Sequence, residues 1–98
     1  NLPPYERFVS LILTSSNEKN LEKESMNLKT MLSQSLNDKI LGPVNAPIYR
    51  VRQKYRQRLL IRSKKGSNIQ KRLSEVLITY KLPKEIKLTV DVDPITFN

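Results

Sequence analysis

Only two stretches of this chain space their apolar residues as helices do, and each lies between stretches that alternate as strands do. That order restricts the fold more than any other property of the sequence. In the last alternating stretch Ile86, Leu88, Val90 and Val92 interleave with Lys87, Thr89, Asp91 and Asp93, and Pro94 ends it. Over residues 5–14, Val9, Leu11 and Leu13 share one face and Phe8, Ser10 and Ile12 the other, after an extended Leu2-Pro3-Pro4 lead-in. A helix is predicted from about residue 17 to 37. Ser15 with Glu18 fits a capping box, and Leu21, Leu28, Met31, Leu32 and Leu36 form its apolar stripe. Asn37-Asp38 ends it, and Gly42-Pro43 marks a turn with a loop through Pro47.

Residues 48–63 read as a hairpin turning near residues 52–54, without a Gly at the turn. Its second arm puts Leu59 and Ile61 on one face and Arg56, Arg58 and Arg62 on the other. The second helix is predicted over about 67–80. Ser67 and Gln70 fit a capping box, Ile69, Leu73, Val76, Leu77 and Tyr80 have helical spacing, and Pro83 stops it. The order is βαββαβ. Two helices of this length cover one face of a four-stranded sheet, so the expected class is α+β with ferredoxin-like architecture and one open sheet face. On that reading Val9, Leu11, Leu13, Leu59, Ile61, Ile86, Leu88, Val90 and Val92 face the helices. The open face receives Phe8, Ile12, Arg56, Arg58, Leu60 and Arg62, with Arg50 and Arg52 on the adjoining arm.

Charge is distributed very unevenly. Residues 50–72 hold ten basic side chains (Arg50, Arg52, Lys54, Arg56, Arg58, Arg62, Lys64, Lys65, Lys71 and Arg72) and no Asp or Glu, whereas residues 1–49 balance five basic against five acidic. The net charge of +9 therefore resides in this one segment. Like charges facing one another across a hairpin cost a few tenths of a kcal/mol each, up to roughly 1 kcal/mol. The fold has no internal reason to collect them, and a polyanionic partner is the natural explanation. The competing reading is a solvated face. Phe8, Ile12 and Leu60 are scattered exposed apolar residues or a docking patch for a larger parent protein. Tyr49 and Tyr55 could stack on bases, but Tyr55 shares a face with Leu59 and suits core packing. Gln70 is a capping residue or a ligand contact.

Several chemistries find no support. A chain of 98 residues with 38% hydrophobic content and two Gly is one small domain with a modest core. It has no Cys for disulfides or thiol chemistry and no His for general-base work, and no usual transition-metal site is expected. Neither Gly42 nor Gly66 precedes Lys-Ser or Lys-Thr at phosphate-loop spacing. Asp91 and Asp93 share a strand face, yet two carboxylates alone make a weak magnesium site, and solvated strand residues are the alternative. No apolar run approaches the roughly 20 residues of a membrane span, and no signal-peptide pattern occurs, so a cytoplasmic setting is expected. A start at Asn1 rather than Met fits a piece of a longer protein or a trimmed product. The chain alone is not expected to be an enzyme, and no cofactor or metal is expected in it.

Four stretches carry a family resemblance: Leu2-Pro3-Pro4-Tyr5, Ile40-Leu41-Gly42-Pro43-Val44-Asn45-Ala46-Pro47, Tyr55-Arg56 leading into Leu59-Leu60-Ile61, and Asp91-Val92-Asp93-Pro94. In this order and spacing, over essentially the whole chain, they resemble the C-terminal domain of the bacterial replication-restart helicases of the PriA (primosomal protein N-prime) family. The resemblance implies a single C-terminal domain, residues 1–98, of a multi-domain ATP-dependent 3′→5′ DNA helicase that recognises stalled forks and supports primosome assembly. It implies a fold like that of a small-subunit ribosomal protein, and contact with branched or single-stranded DNA. It also implies a position near the surface that takes the acidic tail of single-stranded DNA-binding protein. ATP, magnesium and zinc belong to upstream parts of such a parent, and localisation would be bacterial, cytoplasmic and nucleoid-associated. Two positions depart from the family: Gln57 stands where an aromatic residue often follows Tyr-Arg, and Gly66 stands where some members have a basic residue before the Gln matched by Gln70. The rival functions are a protein-interaction module docking that tail or the helicase lobes, and a ribosomal-type RNA-binding domain. An acylphosphatase-like enzyme is more distant, since no Gly-rich phosphate loop precedes a helix.

Overall fold

A computed structural model describes residues 6–51 and 53–92. The elements are β1 (Glu6–Ser15), α1 (Glu18–Ser35), β2 (Lys39–Val51), β3 (Lys54–Lys64), α2 (Ile69–Thr79) and β4 (Lys87–Val92). The strands form one antiparallel sheet in the order β2-β3-β1-β4, which with the βαββαβ chain order is the expected ferredoxin-like α+β architecture. No helix among the described residues is long and apolar enough to cross a membrane.

Alternation on the central strands works as read from the sequence. Val9, Leu11, Leu13, Leu59 and Ile61 are fully buried, and they pack with Leu21, Leu28 and Leu32 of α1 and with Ile69 and Leu73 of α2. Burying such side chains contributes roughly 1.5–3 kcal/mol each, which makes this the main force holding the helices to the sheet. The helix α1 lies against β1, β2 and β3. Less of the core reaches β4: Ile86 just before it is buried, but Val90 within it is 43% exposed. Val90 faces the helix side as expected, paired with the buried Leu11, but α2 leaves it partly uncovered. The eleven-residue α2 leaves an apolar groove along β4, between Leu73, Leu77 and Ile78 on one side and Val90 and Val92 on the other.

Both predicted capping boxes are also corrected. The N-cap of α1 is Asn17, whose side chain accepts from the backbone N–H of Asn20 at 3.0 Å, while the Ser15 hydroxyl accepts from the Asn17 N–H. Asn17 is an equally good cap residue two positions later, so sequence preference alone did not separate them. Asn68 starts α2 in the left-handed region (φ 61°), which Asn tolerates, and its side chain makes no cap bond. Ser67 instead bonds to Ser63 and to the carbonyl of Lys64.

The larger correction concerns residues 39–47. They are strand, not turn and loop, so the hairpin's first arm starts at Lys39 rather than 48. Register shifts between Leu41 and Val44 and between Asn45 and Arg50 let β2 absorb Gly42-Pro43 while staying paired with β3. Gly42 is required there. Its φ is +103°, and a Cβ would lie 2.7 Å from the Arg58 carbonyl oxygen. Lys29 of α1 donates to the Gly42 carbonyl at 2.6 Å, fastening this bend to the helix layer. The hairpin turns at Gln53, within the span expected for it, between the paired Val51 and Lys54. Gln53 takes the left-handed conformation (φ 68°) in place of a Gly.

Candidate nucleic-acid interface

The strand register builds an open face in rows. Lys39, Arg62 and Phe8 form one, and Leu41, Leu60, Ser10 and Asp91 the next. Val44, Arg58, Ile12 and Thr89 follow, then Arg56, Thr14 and Lys87. Alternate residues along β3 lie about 6.8 Å apart, so Arg56, Arg58 and Arg62 make a cationic line down the second strand from the β2 edge. The aliphatic centre is only half covered: Phe8, Ile12 and Leu60 are half-buried, while Leu41 and Val44 are 40% and 50% exposed.

The arginines of this segment differ in what holds them. Arg62 makes an exposed ion pair with Glu6, its Nε and Nη2 both 2.8 Å from one carboxylate oxygen. Such a pair contributes little and yields readily to another anion. Arg58 is half-buried between Val44 and Ile12, and its Nε is buried with no hydrogen-bond acceptor. A desolvated donor of this kind normally has a partner.

Arg72 is different. Its guanidinium donates to both carboxylate oxygens of Asp38 at 2.7 and 3.2 Å, to the Ser67 carbonyl at 2.9 Å and to the Ser67 hydroxyl at 3.0 Å. These bonds tie the start of α2 to the residue before β2. The Arg72 hydrogen bonds hold the Asp38 carboxyl below its usual range against the opposing effect of burial. All of these donors point at the protein rather than outward.

The remaining basic residues form no single surface. Lys54 and Lys64 are exposed at the two ends of β3, Lys65 lies in the turn after it, and Lys71 is exposed on α2. Lys64 and Lys65 join Arg7 and Gln70 around a shallow depression of about 460 Å³ at the start of α2. Arg50 is paired through its backbone with Tyr55 at the hairpin end. The side chains of Tyr49 and Arg50, and Arg52 altogether, lie outside the described residues.

Tyr55 packs against the core from the helix-covered side. Gln57 is buried on that same side and donates to Asn45 Oδ1 at 3.2 Å. Position 57 therefore faces away from the open surface whatever residue occupies it. Sequence reading missed Lys39, Leu41 and Val44, because their segment was taken for a loop. It also missed Lys87, whose place on the open face was readable from its alternation with Ile86 and Leu88. Among the described residues no group of acidic, His or Cys side chains clusters as metal ligands do.

Comparison with known proteins adds the following. The family described as primosomal protein N C-terminal domain matches residues 1–95. Replication restart protein PriA of Rickettsia typhi is 35% identical over 97 residues, which are 99% of this chain and 15% of that protein. Its namesake from Synechocystis sp. is 34% identical over 100 residues, 100% of this chain and 12% of the relative. The chain thus spans less than a fifth of the length of these relatives. Among solved structures, the de novo designed protein Foldit4 has a TM-score of 0.65 at 13% identity, covering 89% of this chain and 94% of the design. That likeness concerns the fold alone.

Proposed function

The chain belongs to the primosomal protein N C-terminal domain family, and from that premise we propose that it is the DNA-contacting accessory domain of a replication restart protein. The observation that carries this reading is the line of Arg56, Arg58 and Arg62 on a sheet face that no described element covers. Phosphates would meet these three first, with Lys39, Lys54, Lys64 and Lys87 widening the positive field. Arg72 serves by anchoring α2, and Lys65 and Lys71 raise the potential from the side. In the longer protein the ATP-driven 3′→5′ motor and a zinc-binding region would lie upstream. This domain would then help hold branched or single-stranded DNA at a stalled fork while the primosome assembles.

The test is titration of this chain against labelled forked DNA and single strands over a range of salt. With about five phosphates neutralised, the log–log slope should be near −3.5 for a single strand. An Arg56→Glu/Arg58→Glu variant should lose most of the affinity. A slope of zero, or unchanged binding by the variant, refutes the reading.

A second reading draws on the depression beside α2. Arg7, Lys64 and Lys65 surround Gln70 there, which suits an acidic protein tail such as that of single-stranded DNA-binding protein. It predicts that Lys64→Glu/Lys65→Glu abolishes peptide capture while Arg56→Glu/Arg58→Glu leaves it in place.

A further inference from the structure

Strand β4 combines an unpaired edge with an apolar groove. It pairs with β1 alone, so among the described residues nothing takes up the backbone groups along its other side. A groove of about 380 Å³ separates it from α2, and in that groove Val90 is 43% and Ile78 79% exposed. Edges of this kind are ordinarily kept from pairing by a bulge, a Pro or a charge. Residues Lys87–Val92 contain no Pro, and their pairing with β1 is regular. They do carry a charge, Lys87, and four residues on they carry the opposite one, Asp91.

These two charges are self-complementary. Lys87, Thr89 and Asp91 lie on the open face, paired with Thr14, Ile12 and Ser10, while Leu88, Val90 and Val92 lie on the helix side. Lys87 and Asp91 are both exposed, and neither belongs to an ion pair among the described residues. A second β4 laid antiparallel along the first by a two-fold axis keeps apolar side chains with apolar ones only in alternate registers. With Thr89 opposite Thr89, Lys87 of each copy meets Asp91 of the other, and Leu88 meets Val90. Opposite charges directly across a strand pair are favourable, and like charges are not. Moving the axis to Val90 sets Thr89 against Asp91 and carries Lys87 opposite position 93, beyond the strand.

We propose that two copies of this chain associate through β4, antiparallel and centred on Thr89, into one eight-stranded sheet. Two Lys87–Asp91 pairs set the register on the open side. On the helix side, Leu88 and Val90 of each copy continue the apolar floor of the other's groove and withdraw Val90 and Ile78 from water. The axis is perpendicular to the sheet, so both open faces lie on one side of it. Counting strands, the two arginine lines then stand about 24 Å apart. This association does not depend on the DNA-contacting reading, since it uses β4 and the groove rather than the arginines of β3.

The experiment follows sedimentation of this chain over a range of concentration, at moderate salt to screen the +9 charge of each copy. The mass should rise toward that of two chains. Lys87→Asp places like charges opposite each other at both ends of the pairing and should weaken association about tenfold. Lys87→Asp/Asp91→Lys, which keeps the net charge, should restore it. Because the chain has no Cys, single cysteine substitutions read the register. Opposite Cα atoms on antiparallel strands are about 4.5–5.5 Å apart, within disulfide reach. On mild oxidation Thr89→Cys should therefore form a disulfide-linked dimer faster than Val90→Cys, and far faster than Lys54→Cys on the β2–β3 hairpin. Circular dichroism checks that the variants fold. A monomer at every concentration overturns the proposal and leaves the groove to a segment of a longer protein. Failure of the charge exchange to restore association overturns it equally, as does cross-linking of Val90→Cys or Lys54→Cys as fast as that of Thr89→Cys.

Discussion

On β1 and β3 the odd-numbered residues Val9, Leu11, Leu13, Leu59 and Ile61 are fully buried, whereas their even-numbered neighbours Phe8, Ile12, Arg58 and Leu60 are half-buried with no described element above them. One pair of strands thus presents two opposite surfaces. On these two strands the helix-covered face is complete within the chain, because α1 and α2 remove its apolar area from water. The open face keeps features that cost free energy in isolation: arginines at successive same-face positions, a buried donor without an acceptor, and exposed aliphatic side chains. The difference teaches where stability ends and function begins. A substitution on the first face should change folding, and one on the second should change binding.

The largest expected effect separates the adjacent residues Leu59 and Leu60. Leu59→Ala should cost about 2–5 kcal/mol of stability, and Leu60→Ala about 1 kcal/mol by the lesser burial, both read from urea unfolding. An equal cost at Leu60 would mean that the open face is covered in solution, and the contrast would collapse.

An intermediate effect lies at the sheet end. Arg72→Gln should cost about 2 kcal/mol by removing charge-assisted hydrogen bonds to a nearly buried carboxylate, reduced by the partial exposure of Arg72. Because Arg72 lowers the folded-state pKa of Asp38, this stability is present in full above the ordinary Asp pKa of about 3.9. It is lost as pH falls through the lower folded value. Melting curves of wild type and Arg72→Gln should therefore converge in acid below about pH 4, and a gap that persists there would deny the ion pair its role.

The smallest effect sharpens the comparison further. Arg62→Gln should change stability by less than about 0.5 kcal/mol, since its pair with Glu6 is solvent-exposed. Affinity for a single strand should fall, and the salt slope should shrink by about 0.7 for the one lost phosphate contact.

How much of this was legible beforehand differs from element to element. The central strands were readable because period-2 alternation and burial on one face are the same fact seen twice. Both helices were readable from their leucine and isoleucine spacing. Their first residues were not, since Ser15, Asn17, Ser67 and Asn68 are all plausible caps and only the path of the chain chooses among them. The strand character of residues 39–47 was hidden because Gly42-Pro43 is ordinarily turn chemistry. Pairing with β3, the two register shifts and the Lys29 bond override that local preference. In the candidate site, the Arg56, Arg58 and Arg62 row was visible as alternation, whereas Leu41, Val44 and Lys39 vanished with the missed strand.

The sequence by itself determined the order of elements, the class of fold and the concentration of positive charge in residues 50–72, because periodicity and composition are local properties. Only the tertiary structure decided which of those charges act together. It turned Arg72 inward to Asp38, set Arg58 among aliphatic neighbours and brought Asp91 from the far end of the chain beside Ser10. Those outcomes depend on strand order and register, which arise from contacts between residues distant in sequence.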